Sequence, residues 1–367
     1  MYRIRNHIMQ KHIAIVGGGP LGVDLAKSLD NKAKVTLIEQ RSHFIHTPAM
    51  IRAIVDPTLL DRALIPYDKT LKAGKVLHGR AAKIDESGVT LSDGTHVPAD
   101  FTVIATGSSY AAPFKVNGDH IEELRTAVHN THKMVTSANS IAIIGAGAVG
   151  IELAGEIATA MPEKNITLVS KAPQLLQDLP EKFGNLILKK LHKLGVETIL
   201  GERAENLMQT DAPYEGEVTL SNGQTINADV IFPAIGARAN ATLLTDLPNV
   251  ETGHANRVKV DPWLRPSSEL PNVFAAGDVA ETGDLMTIVG ITRQLPWLKK
   301  TLLSVIDGRP VTQTAPYSPW KNAPIVLPLG PKKGGSYIFM TVGDKITSMM
   351  KGKDLFLSKR NKAMGYT

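Results

Sequence analysis

Lys11-His12-Ile13-Ala14-Ile15-Val16-Gly17-Gly18-Gly19-Pro20-Leu21-Gly22 carries the strongest fold signal in this chain. Ile13 to Val16 form an unbroken apolar run, the pattern of a short strand buried on both faces. A glycine-rich turn follows at once, and Leu21 to Leu29 then place apolar residues at helical spacing. Val35, Leu37 and Ile38 make the next strand, which ends at Glu39, 22 residues after Gly17. The spacing predicts a strand, turn, helix and strand that together bind a dinucleotide. Gly17 permits the tight turn, Gly19 leaves room for a pyrophosphate, and Gly22 lets the helix pack against the strand. The helix start offers free N–H groups to phosphate, and Glu39 is placed to accept hydrogen bonds from a ribose.

The same unit recurs 128 residues later. Ile141 to Ile144 form the strand and Gly145-Ala146-Gly147-Ala148-Val149-Gly150 the turn. Ile151 to Ala160 form the helix, and Ile166 to Val169 the second strand. Two such units imply two dinucleotides, and a protein holding two commonly passes a hydride between them. The second unit ends its second strand in Ser170-Lys171, where the first has Glu39. Without a carboxylate to repel a 2′-phosphate, this site is expected to accept NADPH as well as NADH.

Two further apolar strands end in glycine turns, Phe101–Ala105 before Thr106-Gly107 and Val230–Ala234 before Ile235-Gly236. A polar stretch, residues 111–139, reads as a hinge and a helix. Val273-Phe274-Ala275-Ala276-Gly277-Asp278 reads as a strand that delivers an acid at its C-terminal end.

Composition narrows the chemistry. The 367 residues contain no cysteine, which excludes disulfides, thiolate zinc sites and cysteine-ligated iron–sulfur clusters. No His/carboxylate spacing suggests a metal, so no metal site is expected, and redox work falls to a bound organic cofactor. No apolar run approaches the roughly 20 residues of a membrane-spanning helix. Met1 to His12 lack the apolar core of a secretory signal, and Tyr2 stands where myristoylation requires glycine. These features lead to an expectation of a cytoplasmic location with peripheral membrane contact. The net charge of +6 is uneven: residues 320–367 hold nine Lys/Arg against Asp344 and Asp354. Such a segment suits an anionic membrane surface or an acidic partner. No aromatic-interleaved basic motif points to nucleic acid, and the sequence leaves the oligomeric state open.

Together, the first fingerprint with Glu39, the Ala105-Thr106-Gly107 turn, the second fingerprint continued by Ile151-Glu152-Leu153-Ala154, and Val273–Asp278 resemble the pyridine nucleotide–disulfide oxidoreductase superfamily. The resemblance spans nearly the whole chain. It implies an α/β fold of the glutathione-reductase type, with two Rossmann-like domains and FAD as cofactor. The NAD(P) domain, residues 113–249, would be inserted between FAD-domain halves at 1–112 and 250–315, with a small basic segment at 316–367. Lack of cysteine removes the disulfide-reducing branches. What remains is most similar to the ferroptosis-suppressor family of apoptosis-inducing-factor-like flavoproteins, which reduce quinones. Phe44-Ile45-His46, Ile51-Arg52-Ala53, Glu163–Leu168 and Lys351-Gly352-Lys353-Asp354-Leu355-Phe356 carry that likeness. The chain departs from it in lacking the family's myristoylated N-terminus, and from related quinone reductases in lacking their Ala-Gln pattern around Met286 to Gln294.

The residues and the resemblance together give a site list. Gly17, Gly18, Gly19, Pro20, Leu21, Gly22 and Glu39 are expected to hold FAD, joined by Thr106 and Gly107. By the family match Arg52, at the pyrophosphate, Ala81 and Asp278 also contact FAD. Gly145, Gly147, Gly150, Ser170, Lys171 and Gly236 are expected at NADH or NADPH. The resemblance implies catalytic roles for Glu152, beside the nicotinamide, and Lys351, near the flavin. Quinones of the ubiquinone, menaquinone or vitamin K type are the expected acceptors. The alternatives are a small electron-transfer protein of ferredoxin or rubredoxin type, or a redox-gated binding role. The tail's apolar residues, Ile346, Met349, Met350, Leu355, Phe356, Leu357 and Met364, are expected to line a quinone path.

Overall fold

The computed structural model describes residues 10–115 and 118–366. The N-terminal reading of Met1 to His12 therefore lies mostly outside the described residues. The chain packs into two compact units, each assembled from separated pieces of sequence. The first comprises Met1–Ser42, Tyr67–Ser108 and Ala239–Trp320; the second comprises His43–Pro66, Ser109–Arg238 and Lys321–Thr367.

The first unit is built on a five-stranded parallel sheet. Its order is Val273–Ala275, Phe101–Ile104, His12–Val16, Lys34–Glu39 and Lys75–His78. His12–Val16 is buried along its full length, as its unbroken apolar run requires. The strand is followed by the helix Pro20–Leu29, which starts on proline, a residue suited to a first turn that needs no N–H. That helix buries Leu21, Val23, Leu25, Ala26 and Leu29, and each fully buried leucine stabilises the unit by about 1.5–3 kcal/mol. Register aligns Val16, Ile104 and Ala275, so the C-terminal ends of three strands far apart in sequence meet at one sheet edge. An antiparallel sheet of Ala81–Asp85, Gly88–Leu91 and His96–Pro98 completes this unit's β structure together with the short pairing Val258–Lys259 with Ala280–Glu281.

The second unit repeats the design. Val196–Leu200, Asn165–Ser170, Ser140–Ile144 and Thr225–Pro233 run parallel, and Tyr214–Thr219 joins antiparallel at the edge. The helix Ala148–Ala160 starts three residues before the sequence expectation and is buried over most of its surface. The polar stretch after residue 111 yields the helix Ile121–Ser137, whose buried Ile121, Leu124, Val128 and Val135 form one stripe.

The basic segment is ordered as a sheet with helical turns. Ile325–Pro328, Gly334–Tyr337 and Thr341–Val342 form an antiparallel sheet, followed by helical residues from Asp344 to Gly352 and Leu357–Ala363. This segment packs within the second unit, together with His43–Pro66. Leu355, Leu357 and Met364 do not line a quinone path. All three are at most 2% exposed, and Leu355 and Leu357 join a core with Ala49, Met50, Ala53 and Leu60. Their apolar surface is buried by packing and is not available to a ligand. Among the described residues no helix is long and apolar enough to cross a membrane.

Candidate cofactor and redox sites

In the first unit the predicted glycine roles take physical form. Gly17 has a φ of +106°, and a side chain there would collide with the Ala105 carbonyl. A side chain on Gly22 would collide with the Gly17 carbonyl. A Cβ on Gly19 would meet no protein atom within 4 Å, so the turn leaves an open cradle at the helix start. Two glycines are thus required by packing and the third by what approaches from outside. That geometry fits a pyrophosphate.

Around the cradle, Glu39 is buried and accepts from the Gly18 N–H at 2.5 Å and the Arg41 N–H at 2.9 Å. Tyr67, which sequence reading missed, donates its hydroxyl to the Gly18 carbonyl at 2.7 Å. Burial, with Glu39 nearby, holds the Tyr67 phenol well above its ordinary range, so it stays protonated. Asp278 follows the strand Val273–Ala275, and its carboxylate accepts from Ser108 Oγ at 2.6 Å. A Cβ on Gly277 would lie 3.2 Å from Leu21 Cδ2, so the acid's turn lies against the first turn of the Rossmann helix. Gln294 fixes that turn: its Oε1 accepts from the Gly277 N–H at 2.7 Å. Thr106 and Asn240 bind each other's backbone carbonyls, holding the Gly107 turn. Ala81 opens the antiparallel sheet and is half-buried. Neither Tyr67 nor Gln294 carries a local sequence signal, because each acts on a backbone atom far away in the chain.

The second unit reproduces the same cradle. Gly145 has a φ of +117° and abuts the Ala234 carbonyl; Gly150 abuts Gly145; Gly147 faces no protein atom within 4 Å. Gly236 is equally open. Ser170 is buried and its hydroxyl accepts from the Ala172 N–H at 3.2 Å, while Lys171 is exposed. The Glu202 N–H donates to the Ser170 carbonyl at 3.0 Å, and its carboxylate takes the Ser221 hydroxyl at 2.5 Å. Sequence reading did not place this acid near the strand end.

The two residues expected to be catalytic meet, although 199 positions separate them. Lys351 Nζ lies 2.7 Å and 2.8 Å from the two Glu152 carboxylate oxygens, with both side chains largely buried. Glu152 is the fifth residue of its helix and so sits beyond the first turn. Burial pushes the Glu152 carboxyl above the ordinary carboxylate range; the Lys351 ammonium opposes that rise, and Glu156 adds to it. Lys351 belongs to a π-helical turn, Ser348–Gly352, closed by the Lys353 N–H on the Ser348 carbonyl at 2.9 Å. Such wide turns occur often at functional sites.

One helical turn on, Glu156 takes Arg52 in a two-pronged pair, Nε–Oε2 2.8 Å and Nη2–Oε1 2.7 Å. Arg52 Nη1 donates to the Gly352 carbonyl at 2.6 Å. His46 is bound to the Leu355 carbonyl through Nε2 at 2.7 Å, and burial lowers its pKa to about 4. The neutral ring therefore donates. Arg52, expected at the FAD pyrophosphate, thus has its fork turned to Glu156 and to the turn that bears Lys351.

Comparison with known proteins gives a consistent result. The sequence profile of the pyridine nucleotide-disulphide oxidoreductases matches residues 1–64 and 67–295. The chain is similar to apoptosis-inducing factor homolog B of Dictyostelium discoideum, 31% identical across 95% of this chain and 96% of that one. It is also similar to ferroptosis suppressor protein 1 of Homo sapiens, 25% identical across 96% and 95%. Among solved structures, the sulfide:quinone oxidoreductase of Aquifex aeolicus aligns with a TM-score of 0.76 at 17% identity, over 97% of this chain and 92% of that one. A ferredoxin reductase of Rhodopseudomonas palustris aligns at 0.68 and 17%, over 95% of each. With both cradles formed and the family's profile matched over most of its length, the chain belongs to the pyridine nucleotide-disulphide oxidoreductase family, and is an oxidoreductase that uses FAD and NAD(P)H.

Proposed function

We propose that this protein oxidises NAD(P)H and delivers the electrons to a quinone of the ubiquinone, menaquinone or vitamin K class. Bound FAD supplies the hydride-accepting and electron-donating chemistry. In this reading Gly17 to Gly22, Glu39, Thr106, Gly107, Ala81 and Asp278 hold FAD. Gly145, Gly147, Gly150, Ser170, Lys171 and Gly236 hold the nicotinamide nucleotide. Glu152 orients Lys351, whose Nζ carries the proton and the positive charge toward the reacting groups. The observation that carries the reading is the Glu152–Lys351 pair, because Lys351 comes from the tail, outside the generic dinucleotide motifs. The chain's lack of cysteine supports it further, since electrons leaving the flavin have no protein dithiol to enter.

The test is steady-state oxidation of NADH and NADPH by the FAD-loaded protein, with soluble quinones in one arm and a ferredoxin with cytochrome c in the other. The expected result is quinone turnover that falls by about ten- to a thousand-fold in Lys351→Met with FAD retained, the loss of a positioned charge. Turnover only in the ferredoxin arm would replace the quinone reading with the carrier-protein one. Negligible turnover in both arms would leave the redox-gated binding role.

A further inference from the structure

We propose that the hairpin tip Ile338-Phe339-Met340, with Ile346 and Met349 just beyond it, is a wedge that docks the protein on an anionic lipid bilayer. The inference goes beyond the quinone reading and does not depend on it. Among the described residues seven large apolar side chains are exposed, and four of them fall within residues 339–349. Phe339 is 89% exposed, Met349 77%, Met340 69% and Ile346 42%. Single exposed apolar residues are ordinary, whereas a cluster confined to one short stretch marks an interaction surface.

The tip is a fixed feature. Ser336 pairs with Val342 and Tyr337 with Thr341, leaving 338–340 as the turn, closed by the Ile338 N–H on the Met340 carbonyl at 3.3 Å. Below it, the Tyr337 ring packs on Phe183 at 6.2 Å between centroids. Buried Ser336 and Thr347 share a hydrogen bond of 2.8 Å, and Gly334 N–H donates to Asp344 at 2.8 Å. Thr347 thus anchors the following helical turn to the hairpin, while Ile346 and Met349, three apart, share that turn's exposed side. Four apolar side chains are held out to solvent by a base that is itself packed.

Charge decides what the wedge enters. The segment 320–367 holds nine cations and two acids, and both acids are already matched. Asp344 takes Lys190 at 2.6 Å and Asp354 takes Arg62 at 2.9 Å. Exposed Lys345 and Lys353 flank Ile346 and Met349 in the chain. Exposed Lys332 and Lys333 stand beyond the other end of the strand Gly334–Tyr337, with Lys333 about 17 Å from Ile338 at strand rise. Apolar side chains at a convex tip with lysines behind them match acyl chains below a layer of anionic head groups. A folded protein partner would instead have to supply a pocket for each projecting side chain.

The experiment uses the FAD-loaded full chain and vesicles of phosphatidylcholine with or without phosphatidylserine, read by co-sedimentation. The parent is expected to bind the phosphatidylserine vesicles and to be released by salt. The double variant Phe339→Ser/Met340→Ser should lose at least about tenfold in partitioning. Lys333→Glu/Lys345→Glu should weaken binding only to the phosphatidylserine vesicles. Oxidation of NADH or NADPH by a soluble acceptor should be unchanged in both variants, which separates failure here from failure of the quinone reading. A Phe339→Trp protein should show indole emission quenched by brominated lipid, placing the tip in acyl chains. The proposal is overturned if the parent ignores anionic vesicles at low salt, or if the serine variant binds as well as the parent. It is equally overturned if the parent self-associates in sedimentation velocity through these side chains, since the patch would then be a contact between copies.

Discussion

Glu156→Ala should be among the most damaging single changes in the second unit that touch no proposed catalytic group. It removes the partner of a guanidinium that is 7% exposed and leaves Arg52 with the Gly352 carbonyl in place of the two-pronged pair. Breaking such a buried pair from one side costs about 3–5 kcal/mol, because the remaining charge has neither counter-ion nor water. Replacing both partners, as Arg52→Met/Glu156→Leu, removes the stranded charge and sacrifices mainly the bond to Gly352, about 1 kcal/mol. The double variant should therefore lie within about 1–2 kcal/mol of the parent and well above Glu156→Ala. The assay is equilibrium urea unfolding at one fixed free FAD concentration, since bound cofactor adds to stability by mass action. Flavin content after desalting is the second readout. A double variant that is stable but flavin-free would show that Arg52 serves the cofactor, as the family resemblance implies. A cost below about 1 kcal/mol for Glu156→Ala, the value of an exposed pair, would refute the argument from burial.

Three further outcomes are expected. Gly19→Ala should leave the apoprotein's stability unchanged and weaken FAD binding, whereas Gly22→Ala should prevent correct folding, because only the first position is free of protein atoms; flavin titration and thermal unfolding separate the two. Ser170→Glu should selectively raise the KM for NADPH over NADH, through repulsion of the 2′-phosphate by a carboxylate at that strand end; an unmodified protein that already rejects NADPH would sink this reading. His46, with its pKa lowered from 6.5 to about 4, contributes stability that is fully present above pH 6.5 and is lost as pH falls from there toward 4. The loss is on the order of 3 kcal/mol, and comparison with His46→Gln in urea unfolding across that range should show the parent's advantage shrinking as the solution is acidified.

Both dinucleotide units are legible in the order of residues alone. Their signals are local: an apolar run, glycines at fixed spacing and a helix, all within some 30 residues, the scale on which backbone sterics and hydrophobic period act. Gly17, Gly22, Gly145 and Gly150 are required because a side chain would strike backbone nearby in the fold, and Glu39 lies at a strand end its own spacing foretells. The absence of cysteine likewise needed no structure to limit the chemistry. Tertiary structure alone decided which distant charges pair. The family resemblance placed Lys351 near the flavin, Glu152 beside the nicotinamide and Arg52 at FAD, but named no partner among them; packing put Lys351 on Glu152 and Arg52 on Glu156, one turn apart on a single helix. It also buried Leu355, Leu357 and Met364 while leaving Phe339 and Met349 in solvent. Apolar residues in a short irregular tail carry no period long enough to reveal their inward face, so only the completed packing separates core from surface.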